Sequence, residues 1–415
     1  MSTVSEIYQR HADYINPYKV DSLIAIEFDC LFTKAQGCYL YDEFDNAYLD
    51  LVAGFGSITL GHYHPDLIQR LNESLLLSRP NINPWGIVPD AANLGERLVR
   101  MTKSKLNKVY FASSGSEAMD SALKFSMAHT KRTSFVAVNS GFHGLTVAAT
   151  SLAGHSFWRN ALPLLPLDVD HIDMNDLTAL KKCLQQKPVA AIILEVIQGS
   201  SGKGAWRSEA LKELASLAKA YGALLIVDEV MTGLGRTGDW FGYQTISASF
   251  MPDIILTSKG LTGGLIPLSA VLMTDEIYHS MFSDAAGANH GATFSANNLA
   301  VSCGLAVLQI TEQEKLLENV KVSGNLFNDG LYSLAKSHFP IRNINAIGLC
   351  VSFEVIEEDH YQTRATDVCL QLLDKKILTA LAPHDTNYIR LTPPLNINAD
   401  QINYFIRSLK DCFDH

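Results

Sequence analysis

The chain has 415 residues, 47% hydrophobic and 18% charged, enough to bury one large core and a smaller second one. With a formal net charge of −10 and no basic run longer than a pair such as Lys181-Lys182, it lacks the footprint of a nucleic-acid or anionic-membrane binder, which favours a small-molecule partner. Its seven cysteines (Cys30, Cys38, Cys183, Cys303, Cys350, Cys369 and Cys412) are scattered without paired spacing, so neither a disulfide framework nor a metal site is signalled, and a cytoplasmic setting is expected.

In chain order, the polar, mixed-charge stretch Met1 to Asp13 lacks the basic and apolar blocks of a secretory signal. Gly37-Cys38-Tyr39-Leu40-Tyr41-Asp42 reads as a hairpin arm, and residues 1–60 are expected to contribute to a small domain. Residues 61–310 are expected to form a large domain, in which β-rich runs alternate with helical patterns. The runs are Lys108 to Ala112, Ser134 to Val138, Ala190 to Leu194 and Leu224 to Val227; the helical patterns are Ser116 to His129 and Glu209 to Tyr221. Apolar stretches such as Val189 to Ile197 are far short of the ~20 residues that span a bilayer. Residues 311–415 carry their own helices and strands, ending in a helical stretch from Ala399 to Phe413, and complete the small domain. The fold class is α/β: a large, mostly parallel sheet with helices on both faces, plus a small α/β domain built from both termini.

In such sheets ligands bind beyond the carboxyl ends of the strands, which singles out four segments. Ser113-Ser114-Gly115-Ser116-Glu117 follows one strand and opens a helix, offering amides, hydroxyls and a positive dipole end to a phosphate; read alone it is equally an N-cap. Phe142-His143-Gly144 offers a flat ring and an imidazole, or ordinary packing. Asp228-Glu229-Val230 delivers a carboxylate at the edge of an apolar core, suited to a protonated pyridine nitrogen, a metal or a helix cap. Lys259 stands at a strand end before the glycine-rich Gly260 to Gly264, where desolvation would make its amine nucleophilic; a solvated loop lysine is the plainer alternative.

Taken in order, SGSEA, FHG, E-V-I-Q-G, DEV-x-TGLGRTG, SKGLTGG and GATFSANNLA resemble the class-III pyridoxal-phosphate-dependent aminotransferases, and the resemblance extends over nearly the whole chain, with the putrescine and other amine-using branches nearest. It implies a fold type I enzyme carrying pyridoxal 5′-phosphate as a Schiff base on Lys259, with Asp228 at the pyridine nitrogen and Glu195 in the catalytic set. It also implies a ring stack between Phe142 and Val230, His143 alongside, and phosphate contacts from Ser114, Gly115 and Ser116. The family completes the phosphate site from a neighbouring subunit, here through Thr293, so a homodimer with shared active sites is expected, and no metal. His62 and His64 are then interface or turn residues.

Two departures bear on the substrate. Glutamate-using branches place a second glutamate after E-x-x-Q-G to pair with the carboxy-terminal arginine, and a glutamine after Asp-Glu-Val; here these are Ser200 and Met231. Arg390 is therefore expected to bind a substrate carboxylate or swing away, with Phe55, Trp85 and Phe142 as pocket walls. The implied reaction exchanges an amino group between a primary amine or ω-amino compound and an α-keto acid such as pyruvate or 2-oxoglutarate, or an aldehyde. The alternatives are an aminomutase or racemase on the same fold, and a non-catalytic binding scaffold.

Overall fold

The computed structural model describes residues 3–282, 289–357, 363–383 and 385–413; Met1 and Ser2 of the polar amino-terminal stretch lie outside them. Val189–Leu194 is buried at every position, which is what a run of alanine, valine, isoleucine and leucine achieves only when both faces of a strand are covered. It lies inside a seven-stranded sheet ordered Lys108–Ala112, Ser269–Met273, Ile254–Thr257, Leu224–Asp228, Val189–Leu194, Ser134–Val138, Asp168–Ile172. Ser269–Met273 runs antiparallel to both its neighbours, and the remaining pairings are parallel. Because Ser269–Met273 pairs directly with Ile254–Thr257, Ala270 opposite Thr257, the loop carrying Lys259 is a hairpin connection and not a crossover. Ser258 Oγ donates to the Leu268 carbonyl at 2.9 Å across the base of that hairpin.

Alternation along the strands sorts the core into two layers. Val136, Val138, Ile192, Leu194, Leu225 and Val227 join Leu180, Leu211 and Leu214 from the helices Leu177–Gln186 and Ser208–Tyr221 on one face. Phe135, Ala137, Ala191, Ile193 and Ile226 meet Met119, Leu123 and Phe125 of the helix Gly115–Thr130 on the other. Each fully buried aliphatic side chain contributes about 1.5–3 kcal/mol relative to exposure.

The amino-terminal hairpin, Phe32–Gln36 with Tyr39–Asp42, leads into Ala47–Asp50, which pairs in parallel with Ile377–Leu378. The two ends of the chain therefore share one sheet. A second small sheet, ordered Ile341–Ile347, Cys350–Val355, Asp385–Leu391, Ala380–Ala382, packs with the helices Leu316–Lys336 and Ala399–Asp411 around Phe327, Phe353, Ile389 and Phe405. The helix Asn298–Gln313 runs through residue 310 and serves both cores, Ala300 and Val301 on the large side, Val307 and Ile310 on the small. No helix among the described residues is long and apolar enough to cross a membrane.

Candidate active site

Five strands of the large sheet end at one edge, and the residues that follow them enclose a cavity of about 160 Å³. Its walls are Gly115, Ser116, Phe142, His143, Gly144, Glu195, Ser200, Asp228, Val230, Met231, Ser258 and Lys259. A larger cleft of about 570 Å³ lies elsewhere, but its charged walls are held in ion pairs, Arg97 with Glu312, Arg100 with Glu96, Arg70 with Glu73 and Asp90 with Arg79.

Asp228 closes its strand with one carboxylate oxygen accepting from the Val230 amide at 3.0 Å and the other 2.8 Å from His143 Nδ1. Since the carboxylate accepts, Nδ1 carries the proton, and the buried His143 Nε2 has no hydrogen-bond partner among the described residues. Burial works against a charged imidazole, yet the bond to Asp228 and the negative charges of Asp228 and Glu195 outweigh it and raise the His143 pKa. Glu195 accepts from the Phe142 amide at 3.0 Å, and burial, opposed by His143 and reinforced by Asp228, pushes its carboxyl up to about 7. Half-buried Lys259 lies among these groups in a left-handed backbone conformation, φ +39°. Burial lowers its pKa against the pull of Asp228 and Glu195, with Arg390 and Arg236 adding to the reduction.

The phosphate-sized end of the cavity is the start of the helix Gly115–Thr130, whose leading amides have no intrahelical acceptor. Ser114 is the N-cap: its hydroxyl accepts from the Glu117 amide at 3.2 Å and does not line the cavity, so the capping alternative describes its side chain. A Cβ on Gly115 would stand 3.1 Å from a Val230 methyl, and one on Gly144, at φ +118°, would fall 2.2 Å from Ser116 Oγ. The space beside Ser116 thus exists only because two residues have no side chain. A cradle of helix amides, a carboxylate at a strand end, a desolvated lysine and an apolar Phe142–Val230 slot fit pyridoxal phosphate in charge and chemistry.

Beyond the cavity, Ala53, Gly54, Phe55 and Gly56 form a left-handed turn with φ of +46°, +59°, +56° and +84°. Asp50 steadies it by accepting from the Val52 and Ala53 amides at 3.0 and 2.8 Å while pairing with His62 Nε2 at 2.9 Å. Arg236, wholly buried, donates to the carbonyls of Gly56, Leu349 and Pro393, and burial brings its pKa down to about 10. The glycines of TGLGRTG announce a turn but not this role for its arginine, whose three acceptors are distant in sequence. Glu229 is the cap in the acidic pair, accepting from the Gly242 and Tyr243 amides at 2.8 Å each.

Arg390 is 7% exposed and donates to the Leu381 carbonyl at 3.2 and 3.3 Å and to the Gly199 carbonyl at 3.4 Å. Among the described residues no carboxylate forms an ion pair with it, and Ser200 and Met231 are both cavity walls. Phe142 is a cavity wall, whereas Phe55 and Trp85, 56% and 96% exposed, are not, and neither is exposed Thr293.

Residues 24–413 match the family described as aminotransferase class-III. An acetylornithine aminotransferase from Aquifex aeolicus is 33% identical over 92% of this chain and 96% of its own length. A putrescine aminotransferase from Pectobacterium atrosepticum is 31% identical over 98% of this chain and 88% of its own. The crystal structure of the ornithine aminotransferase from Toxoplasma gondii covers 100% of this chain and 95% of its own with a TM-score of 0.88 at 26% identity. With the matching fold and a cavity suited to the cofactor, the chain belongs to the class-III aminotransferases, pyridoxal 5′-phosphate-dependent enzymes that move an amino group between an amino compound and a keto acid.

Proposed function

We propose that Lys259, Asp228 and Glu195 are the catalytic set of a homodimeric, cytoplasmic transaminase acting on a primary amine or ω-amino compound, with pyruvate or 2-oxoglutarate as the other partner. The carrying observation is that Lys259 and Asp228 line one cavity at the start of a phosphate-ready helix. When bound, pyridoxal 5′-phosphate supplies an electron sink for the carbanion left by proton removal beside the amino nitrogen. Lys259 Nζ would hold the cofactor, and its desolvated amine would take and return the substrate proton. Asp228 would keep a proton on the ring nitrogen, and His143, 2.8 Å away, fixes the orientation of that carboxylate. Glu195 positions Phe142 through its amide and, with its carboxyl driven to about 7, limits the negative charge beside Asp228. Phe142 and Val230 would hold the ring, and the helix start with Ser116 would bind the phosphate.

Arg390 supports the keto-acid half of this reading. A buried guanidinium held only by carbonyls keeps its charge available for a substrate carboxylate. Dimerisation is supported by the exposed apolar side chains Leu75, Leu76, Leu77, Ile82, Trp85 and Ile87, and by Thr293, which is exposed and outside the walls of its own chain's cavity. Seven unpaired cysteines fit the cytoplasm. The test is the visible spectrum of cofactor-loaded protein as putrescine, a long alkylamine, β-alanine, L-alanine, L-glutamate and L-ornithine are added singly without acceptor. Conversion to the pyridoxamine band with matching carbonyl release is expected for the amine donors. A cofactor band that no amine converts would turn the reading towards an isomerase.

A further inference from the structure

His290 has no part in the cavity, yet it is fastened on three sides. Its ring stacks on Tyr110, centroids 4.6 Å apart, while Nε2 lies 2.9 Å from Ser121 Oγ and Nδ1 lies 3.1 Å from Lys124 Nζ. An ammonium can only donate, so Nδ1 accepts, Nε2 carries the hydrogen and gives it to Ser121 Oγ, and that hydroxyl donates to the Glu117 carbonyl at 2.7 Å. Lys124 Nζ also donates to the Asn289 carbonyl at 3.4 Å, and this set of partners gives the imidazole one tautomer. Ser121 and Lys124 sit three residues apart on the helix Gly115–Thr130, and Tyr110 is in the strand that feeds it. Just beyond Thr293, Ser295 Oγ donates to the Phe111 carbonyl at 2.6 Å on that same strand. The stretch between these two fastenings is exposed at Thr293 and Phe294, and Gly291 has open space around its Cα.

We propose that His290 is a positioning residue for the cofactor across the subunit boundary: it locks the segment bearing Thr293 to the strand and helix that form its own phosphate cradle, so that Thr293 is presented to the phosphate of the second copy. The inference rests on the dimeric reading above. It makes each subunit's cradle unit the mount for its partner's phosphate contact, a link that an outward-facing threonine on a slack loop would not provide.

The experiment follows retention of the cofactor and not turnover. Loaded dimers, verified by native mass spectrometry, are dialysed for timed intervals, and the cofactor remaining on Lys259 is fixed with borohydride and counted by peptide mass. Thr293→Val tests the underlying reading, and His290→Phe, which keeps an aromatic ring for Tyr110 but removes both polar ties, tests the inference. Both variants are expected to lose cofactor about ten-fold faster, the scale of one charge-assisted hydrogen bond. Loosening by Thr293→Val with none by His290→Phe overturns the inference alone; unchanged retention in Thr293→Val overturns both. Mixed dimers separate a partner effect from a local one. A lysine-bearing subunit of otherwise parental sequence, paired with a Lys259→Ala, His290→Phe subunit, is expected to lose its cofactor fast. When the lysine-bearing subunit itself carries His290→Phe and its partner only Lys259→Ala, retention should be parental. The reverse pattern, or equal loss in the two, refutes action across the boundary.

Discussion

Glu195→Gln should make the protein more stable, increasingly so as the pH rises from about 4.5 to about 7. The buried Glu195 carboxyl is pushed from an ordinary 4.5 up to about 7, chiefly by burial. Between those values the unfolded chain gives up the proton while the folded chain keeps it, so stability falls as pH rises, and the loss is complete once pH exceeds the folded value. At about 1.4 kcal/mol per pH unit the gap amounts to about 3 kcal/mol. Glutamine keeps an oxygen to accept from the Phe142 amide and cannot ionise. Urea unfolding of the cofactor-free protein, at equal concentration for parent and variant, should give two proteins within about 1 kcal/mol of each other near pH 5. By about pH 8 the variant should lead by about 3 kcal/mol. Glu229, also raised to about 7, titrates identically in both and cancels. A difference that does not change with pH would mean that Glu195 ionises normally in the folded protein, and the account of its environment would fail.

Arg390→Ala should reduce kcat/KM for the keto-acid half-reaction by about 10–100-fold, the worth of hydrogen bonds to a charged group, and leave a plain amine within about three-fold. Equal losses in single-turnover measurements of the two half-reactions would make this arginine structural. Gly144→Ala would bring a methyl 2.2 Å from Ser116 Oγ at a φ of +118°, so it should weaken cofactor binding at least about ten-fold in equilibrium dialysis with the far-ultraviolet spectrum unchanged. Ile193→Ala, at a fully buried position of the central strand, should cost about 2–5 kcal/mol in urea unfolding and leave the cofactor spectrum as it is.

The strands and helices of the large domain were legible because apolar runs of five or six residues and helical spacing separate cleanly there; Val189–Leu194 and Ser208–Tyr221 begin within a residue of where the sequence puts them. The direction of Ser269–Met273 was not legible, since a strand buried on both faces reads the same whichever way it runs. At the site, strand-end position identified Asp228, Lys259 and the Gly115-Ser116 turn. The His143–Asp228 bond, between residues 85 apart in sequence, and the three-carbonyl grip of Arg236 are set by tertiary contact and leave no local pattern. The left-handed turn was half legible: Gly54 and Gly56 advertise it, but Ala53 and Phe55 also adopt positive φ, which residue type alone argues against. Aromatic character nominated Phe55 and Trp85 as pocket walls, and it could not tell a residue that lines the cavity of its own chain from one left exposed outside it.

The hairpin that bears Lys259 also constrains how such an enzyme can diversify. The connection is closed at its base by the Ser258–Leu268 hydrogen bond and holds Gly260, Leu261 and Thr262 buried, so the place of Lys259 is set by packing on either side of it. The loops carrying Phe142, Glu195 and Asp228 lead away from their strands into segments of different length, where insertions can be absorbed at the far end. Loop exchange for new substrates, in nature or at the bench, therefore has to be built around a lysine segment whose packing is left untouched.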